Sequence, residues 1–123
     1  QPYIYGVLGP VLLAFEPDEK IERILQIPIP KRTPATVTDP AIIKQRLMRI
    51  REEYIYEEAN ETHDGVVGIG APVFDAQNEV VAAIGVVGPT VQLTEERLKQ
   101  VKPLVMQAAR LISRKMGYTR NWI

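Results

Sequence analysis

The segment GVVGIGAPVFD at residues 65–75, together with the return run Val80–Pro89, constrains the fold of this chain more than any other stretch. It is the longest apolar region and reads as two strands. The intervening Asp75-Ala76-Gln77-Asn78-Glu79 suits a hairpin, because Asp opens a turn through its side chain and Asn tolerates the left-handed conformation that closes one. Gly68, Gly70 and Gly85 interrupt the strands. Glycine weakens a strand and marks close approach by a ligand, a helix or another backbone. Pro72 has no N–H to give to a ladder, so it is expected at an edge or beside a bulge.

A chain of 123 residues supports one domain with a real core, here taken as residues 1–123. The composition, 46% hydrophobic and 24% charged, is that of a soluble globular protein. No run is long and apolar enough to span a bilayer, and the start lacks the layout of a signal peptide. The absence of cysteine excludes disulfide and thiolate chemistry and is compatible with a cytoplasmic location. Lys plus Arg and Asp plus Glu are both 15, so no global field attracts a polyanion. Acidic residues cluster between Glu52 and Asp64 and basic ones between Arg97 and Arg120. Two solvated faces explain this most simply; the alternative is acidic-to-basic docking between protomers.

In chain order, Pro10 predicts a helix beginning near Gly9, with the amides around Gly6 and Val7 left free or bound by a loop. Free amides at a helix start attract anions. Pro17 opens a short second helix carrying Ile21, Ile24 and Leu25. The run IPIPKRTPATVTDP holds four of the ten prolines and must be an extended connector. Asp39-Pro40 caps and starts a third helix with Ile43, Leu47, Ile50 and Tyr54 on one face. Tyr54-Ile55-Tyr56 reads as a strand before an acidic loop from Glu57 to Asp64. Thr94, backed by Glu95 and Glu96, starts the last helix, whose stripe Leu98, Val101, Val105, Ala108, Ile112 runs towards a stop at Gly117. Pro103 predicts a kink, or a start one turn later.

Catalytic and metal constellations are weak. His63 with Glu57, Glu58 and Glu61 lacks zinc-site spacing and a second histidine. The one serine, Ser113, lies in the last helix rather than at a strand-to-helix elbow. GVVGIG falls inside a strand, without the spacing or following Lys-Ser/Thr of a phosphate cradle. We therefore expect no enzyme, no metal site and no cofactor. An enzyme would have to use Glu58 or Glu61 as acid or base without a visible nucleophile.

The hairpin, ending Val87-Gly88-Pro89, resembles the signature hairpin of the effector-binding domain of IclR-type transcriptional regulators. Glu61 matches the acid that the family carries before it. Leu8-Gly9 with Leu12-Leu13-Ala14-Phe15 resembles the family's first helix, Thr36-Val37-Thr38-Asp39 its approach to the next, and residues 108–117 its last. The resemblance implies an α+β, GAF-like fold with helices on an antiparallel sheet. It implies a domain that senses a small molecule and controls DNA binding by an attached winged helix-turn-helix domain, absent from this sequence. The chain would be the carboxy-terminal part of the sensing domain, which implies exposed sheet edge, and a homodimer or tetramer is implied. A ligand-free GAF-like oligomerisation module is the alternative, in which the glycines merely admit a packed helix.

Carried over by position, the family's pocket falls on Gly6 and Val7, whose amides would meet an effector carboxylate, on Glu58, on Val66 and Gly68, and on Gly85 and Val87. The polar partners of members that bind small keto acids are missing, and Pro10 stands where a lysine is usual. Gly68 and Gly85 are thus expected to enlarge the cavity and Val87 to remove a hydroxyl. This favours an aromatic or longer aliphatic carboxylic acid. An ionised Glu58 would repel such a ligand unless turned away. One conflict follows: pairing Asp75 with Glu79 places Gly68 opposite Val86, off the face of Gly85 and Val87, unless a bulge near Pro72 shifts the register by one.

With zero net charge and no recognition-helix pattern, the isolated chain should not bind DNA specifically. Titration of labelled operator at low and moderate salt checks this, and sequence-dependent retardation by the chain alone would overturn it.

Overall fold

A computed structural model describes residues 4–120. In order they form α1 (Leu8–Ala14), α2 (Asp18–Leu25), α3 (Pro40–Glu53), β1 (Tyr56–Ala59), β2 (Val66–Phe74), β3 (Val80–Pro89) and α4 (Glu95–Lys115). The three strands make one antiparallel sheet in the order β1-β2-β3, so the architecture is the expected α+β one. β2 is its central strand, buried from Val67 to Phe74.

The pleat sorts β2 between two helical layers. Ile69, Ala71 and Val73 point to the face covered by α4, where they join Val105, Ala109 and Tyr118. Gly68, Gly70 and Pro72 point to the other face, covered by α1. Behind α1, Val11 and Leu13 meet Ile21 and Leu25 of α2 and Ile43, Leu47 and Ile50 of α3 in a second cluster. Asp39 caps α3 by accepting from the Ala41 N–H at 2.9 Å, with Pro40 at the first helical position.

The hairpin turn is closed by Asp75, whose Oδ1 accepts from the Gln77 and Glu79 N–H groups, and by Asn78 at φ +64°. Val73 pairs with Ala82 but Phe74 with Val80, so Val81 is the extra residue of a bulge. The register shift that the sequence called for is therefore present, on β3 rather than at Pro72. It sets Gly68 opposite Val87 and Gly70 opposite Gly85, on one face. Pro72 lies beyond the reach of β1, which ends its pairing at Tyr56 opposite Gly70. Beside the bulge the Phe74 N–H donates to Ser113 Oγ at 3.0 Å, and that hydroxyl donates to the Ala109 carbonyl at 2.7 Å. The buried serine thus serves the sheet.

Three expectations need correction. Tyr54 is not strand but the left-handed cap of α3, at φ 59°, so β1 starts two residues later and takes in Glu57 and Glu58. α4 starts at its Thr94 cap, not one turn later, and continues past Pro103. The proline is exposed, as is Lys99, whose carbonyl it cannot serve as a donor. The buried stripe of α4 is Leu98, Val105, Ala109 and Ser113, one residue on from the expected Ala108 and Ile112. Small side chains at Ala109 and Ser113 let the helix lie close to the end of β2. Gly117 stops the helix at φ +94°, and Tyr118 turns inward and stacks on Phe74 at 5.1 Å. Residues 121–123, with Trp122, lie outside the described residues.

A Cβ at Gly85 would stand 2.6 Å from the Ile69 carbonyl oxygen, whereas one at Gly88 would meet nothing nearer than 3.8 Å. Gly85→Ala should cost about 1–3 kcal/mol by forcing backbone apart, and Gly88→Ala should stay within about 0.5 kcal/mol of the parent. Urea denaturation of both variants measures the difference.

Candidate functional site

The start of α1 lies across the glycines of β2. Val7 Cγ1 would be 3.1 Å from a Cβ at Gly68, and Val7 Cβ 3.3 Å from one at Gly70. Leu8 Cδ2 is likewise 3.3 Å from the Cβ position of Gly85. Val7 and Leu8 therefore take the space over these glycines, and the expectation that Gly85 enlarges a cavity is corrected: it admits Leu8, whereas Gly68, though packed against Val7, still lines an open cleft.

Beside Val7 an open cleft of about 480 Å³ remains. Gly6, Val7, Val66, Gly68 and Val87 line it, five of the seven positions carried over from the sequence. Glu58 and Gly85 do not line it. Gly85 is beneath Leu8, and Glu58 faces a separate, more enclosed cavity of about 30 Å³ behind Tyr5 and Pro10. That volume suits about one or two water molecules. The cleft walls include Leu8, Val66 and Val87, with Val87 64% exposed. Its remaining rim is made by Tyr5, Arg32, Thr62 and His63, which the sequence reading did not assign to a site.

A hydrogen-bond relay separates cleft and cavity. The Gly6 N–H donates to Thr62 Oγ1 at 2.7 Å, and the Thr62 hydroxyl donates to Glu58 Oε1 at 2.7 Å. The other Glu58 oxygen accepts from the Glu61 N–H at 3.0 Å. Glu58 is only 8% exposed and is satisfied by these partners, so it holds the β1–β2 loop to α1. The Gly6 amide is loop-bound, one of the two states expected for it. Deeper in the cavity Arg46 Nη1 donates to Glu61 Oε1 at 2.6 Å, and Tyr56 lies beside the pair. Burial raises the Tyr56 hydroxyl above the usual tyrosine range, against the opposing pull of Arg46.

The proline-rich connector is tied to the same loop. Thr33 Oγ1 donates to the Asn60 carbonyl and Thr36 Oγ1 to the Glu61 carbonyl, both at 2.5 Å. Thr36 Oγ1 also accepts from the Arg32 N–H at 3.0 Å. Prolines keep this stretch extended and short of backbone donors, so threonine hydroxyls take over its attachment. Arg32 is thereby carried to the cleft mouth, its Cζ 3.9 Å from the centre of the Tyr5 ring. Among the described residues no group of three or more His, Cys, Asp or Glu is placed to hold a metal ion.

The sequence profile described as "Bacterial transcriptional regulator IclR C-terminal" matches residues 2–114. The chain belongs to the IclR family. It is 32% identical over 118 residues to the HTH-type transcriptional regulator KdgR of Escherichia coli (strain K12), covering 95% of this chain and 45% of that protein. The crystal structure of the C-terminal domain of E. coli KdgR superposes with a TM-score of 0.84 at 32% identity, over 96% of this chain and 73% of that one. The inducer-binding domain of PobR from Acinetobacter, a double mutant in complex with 3-hydroxybenzoic acid, gives a TM-score of 0.84 at 29% identity, over 92% of this chain and 66% of that one. The fold is thus the GAF-like one of IclR C-terminal domains. The chain spans less than half the length of the KdgR regulator it matches. No helix among the described residues is long and apolar enough to cross a membrane.

Proposed function

We propose that this chain is the effector-sensing domain of an IclR-type transcriptional regulator, and that a small organic acid with an aromatic or aliphatic body occupies the cleft beside α1. The observation that carries this is the convergence of Gly6, Val7, Val66, Gly68 and Val87 on one apolar-walled cleft within the size range of ligand pockets. The PobR inducer-binding domain in its complex with 3-hydroxybenzoic acid supports an aromatic acid. In the whole regulator, a cytoplasmic protein on this reading, occupancy would set the DNA affinity of a winged helix-turn-helix domain elsewhere in the chain. Residues 1–123 would act as one sensing unit without cofactor, metal or catalytic step. The ligand-free module remains the second reading, and the filling of the glycine strip by Val7 and Leu8 is what favours it.

Calorimetric titration decides between them. 3-Hydroxybenzoate and hexanoate should bind more tightly than pyruvate. Val87→Asp, which adds a like charge to an exposed wall, should weaken the larger acids by at least about tenfold while leaving the fold intact. Tighter binding of pyruvate, or an unchanged Val87→Asp variant, would place the effector elsewhere.

We infer also that the chain self-associates as a homodimer or tetramer. Leu104 and Leu111 lie exposed on α4 and Met116 at its C-cap, none in the buried stripe, and Val86 and Val87 are exposed on β3, an edge strand of the sheet. Light scattering should show a species larger than one chain at both low and moderate salt, and a monomer at every accessible concentration would remove this part.

A further inference from the structure

Resting on the effector-cleft reading above, we propose that Arg32 is the specificity-determining residue of the cleft: it pairs with the effector's carboxylate, in place of the helix-start amides. Three observations carry the assignment. First, of the two amides expected to meet a carboxylate, Gly6 and Val7, the Gly6 N–H is already engaged by Thr62 at 2.7 Å. Second, Arg32 reaches the cleft mouth held at two points. Its backbone N–H is bound by Thr36, and its guanidinium carbon lies over the Tyr5 ring, 3.9 Å from the ring centre, the ring being itself fixed by donation of the Tyr5 hydroxyl to the Pro30 carbonyl at 2.6 Å. Third, among the described residues no carboxylate lies within ion-pair distance of Arg32, whereas Arg46 and Arg51 are paired with Glu61 and Asp18.

The chemistry follows from the cation–π contact. A guanidinium held over an aromatic ring spends none of its N–H donors on that contact, and those donors match the two oxygens of a carboxylate. Because Tyr5 already restricts the side chain and Thr36 holds the backbone beneath it, less freedom is lost when the ligand arrives. Across the cleft Leu8, Val66 and Val87 offer an apolar wall. The complementary ligand is an organic monoanion, with its carboxylate at the Arg32 rim and its hydrocarbon portion against β2 and β3. Glu58 does not repel it, since that carboxylate is turned into the relay on the far side of Thr62.

The test uses the 123-residue chain, with 3-hydroxybenzoate and its neutral amide as probes, titrated against the parent, Arg32→Gln and Arg32→Lys, with backbone amide shifts of Val66 and Gly68 reporting the place of binding. The acid should bind the parent at least about tenfold more tightly than the amide. Arg32→Gln should collapse that ratio towards one, and Arg32→Lys should keep part of it. Equal binding of acid and amide, with Val66 and Gly68 shifts present, would overturn the role of Arg32 and leave the cleft as effector site. So would an acid-to-amide preference that survives Arg32→Gln. Failure of both probes to bind or to move those amides at millimolar concentration would overturn the cleft reading and this inference together.

Discussion

The contact of Val7 with the glycines of β2 is the constraint on which the rest depends. A side chain at Gly68 or Gly70 would press on the start of α1, since Cβ positions there already lie 3.1–3.4 Å from Val7 atoms and Val7 would have to give by a few tenths of an ångström. Val11 and Leu13 of the same helix pack with α2 and α3. The Gly6 amide just before it binds Thr62. One close approach thus joins the two cores and sets the floor of the cleft. Beneath α1 the glycines leave no vacancy; the open cleft lies to the side, between Val7, Val66 and Val87.

Around that contact the polar groups hold loops in place. Glu58, Thr62, Thr33 and Thr36 all hydrogen-bond to backbone or to one another at 2.5–3.1 Å, joining β1, the β1–β2 loop, the connector and the start of α1. Each such bond contributes roughly 0.5–1.5 kcal/mol, and leaving a buried partner unpaired costs more. Glu58 therefore has a structural role although it stands at a position where the family resemblance implied ligand contact. The same ties bring Arg32 of the proline-rich connector to the cleft.

Much of the fold was legible in local patterns. Asp39-Pro40, Thr94-Glu95-Glu96 and Gly117 mark helix ends through capping chemistry that acts within a few residues, and the structure places the ends there. The Asp75–Glu79 turn was equally readable, and a one-residue register shift followed only on the condition, implied by the family resemblance, that Gly68, Gly85 and Val87 share a face. The location of the shift was not readable. Val81 carries it because Ser113, distant in sequence, receives the Phe74 N–H beside the irregularity. The tail of the α4 stripe was likewise misplaced by one position, since which face of a helix is buried depends on how it crosses a twisted sheet.

The candidate site divides in the same way. By itself the sequence determined the hairpin, the helix caps, the glycine-marked close approach and the family resemblance that singled out Gly6, Val7, Val66, Gly68 and Val87, since each depends on neighbouring residues or on an ordered motif. Only the tertiary structure decided that Val7 and Leu8 fill the glycine strip, that Glu58 turns away from the cleft and that Arg32 comes to its rim. Those outcomes hang on contacts between segments 25 to 56 residues apart, Thr36 with Glu61, Thr33 with Asn60 and Gly6 with Thr62. Their hydroxyls and amides carry no local period that would announce the partner, so the pairing appears only when the chain has folded.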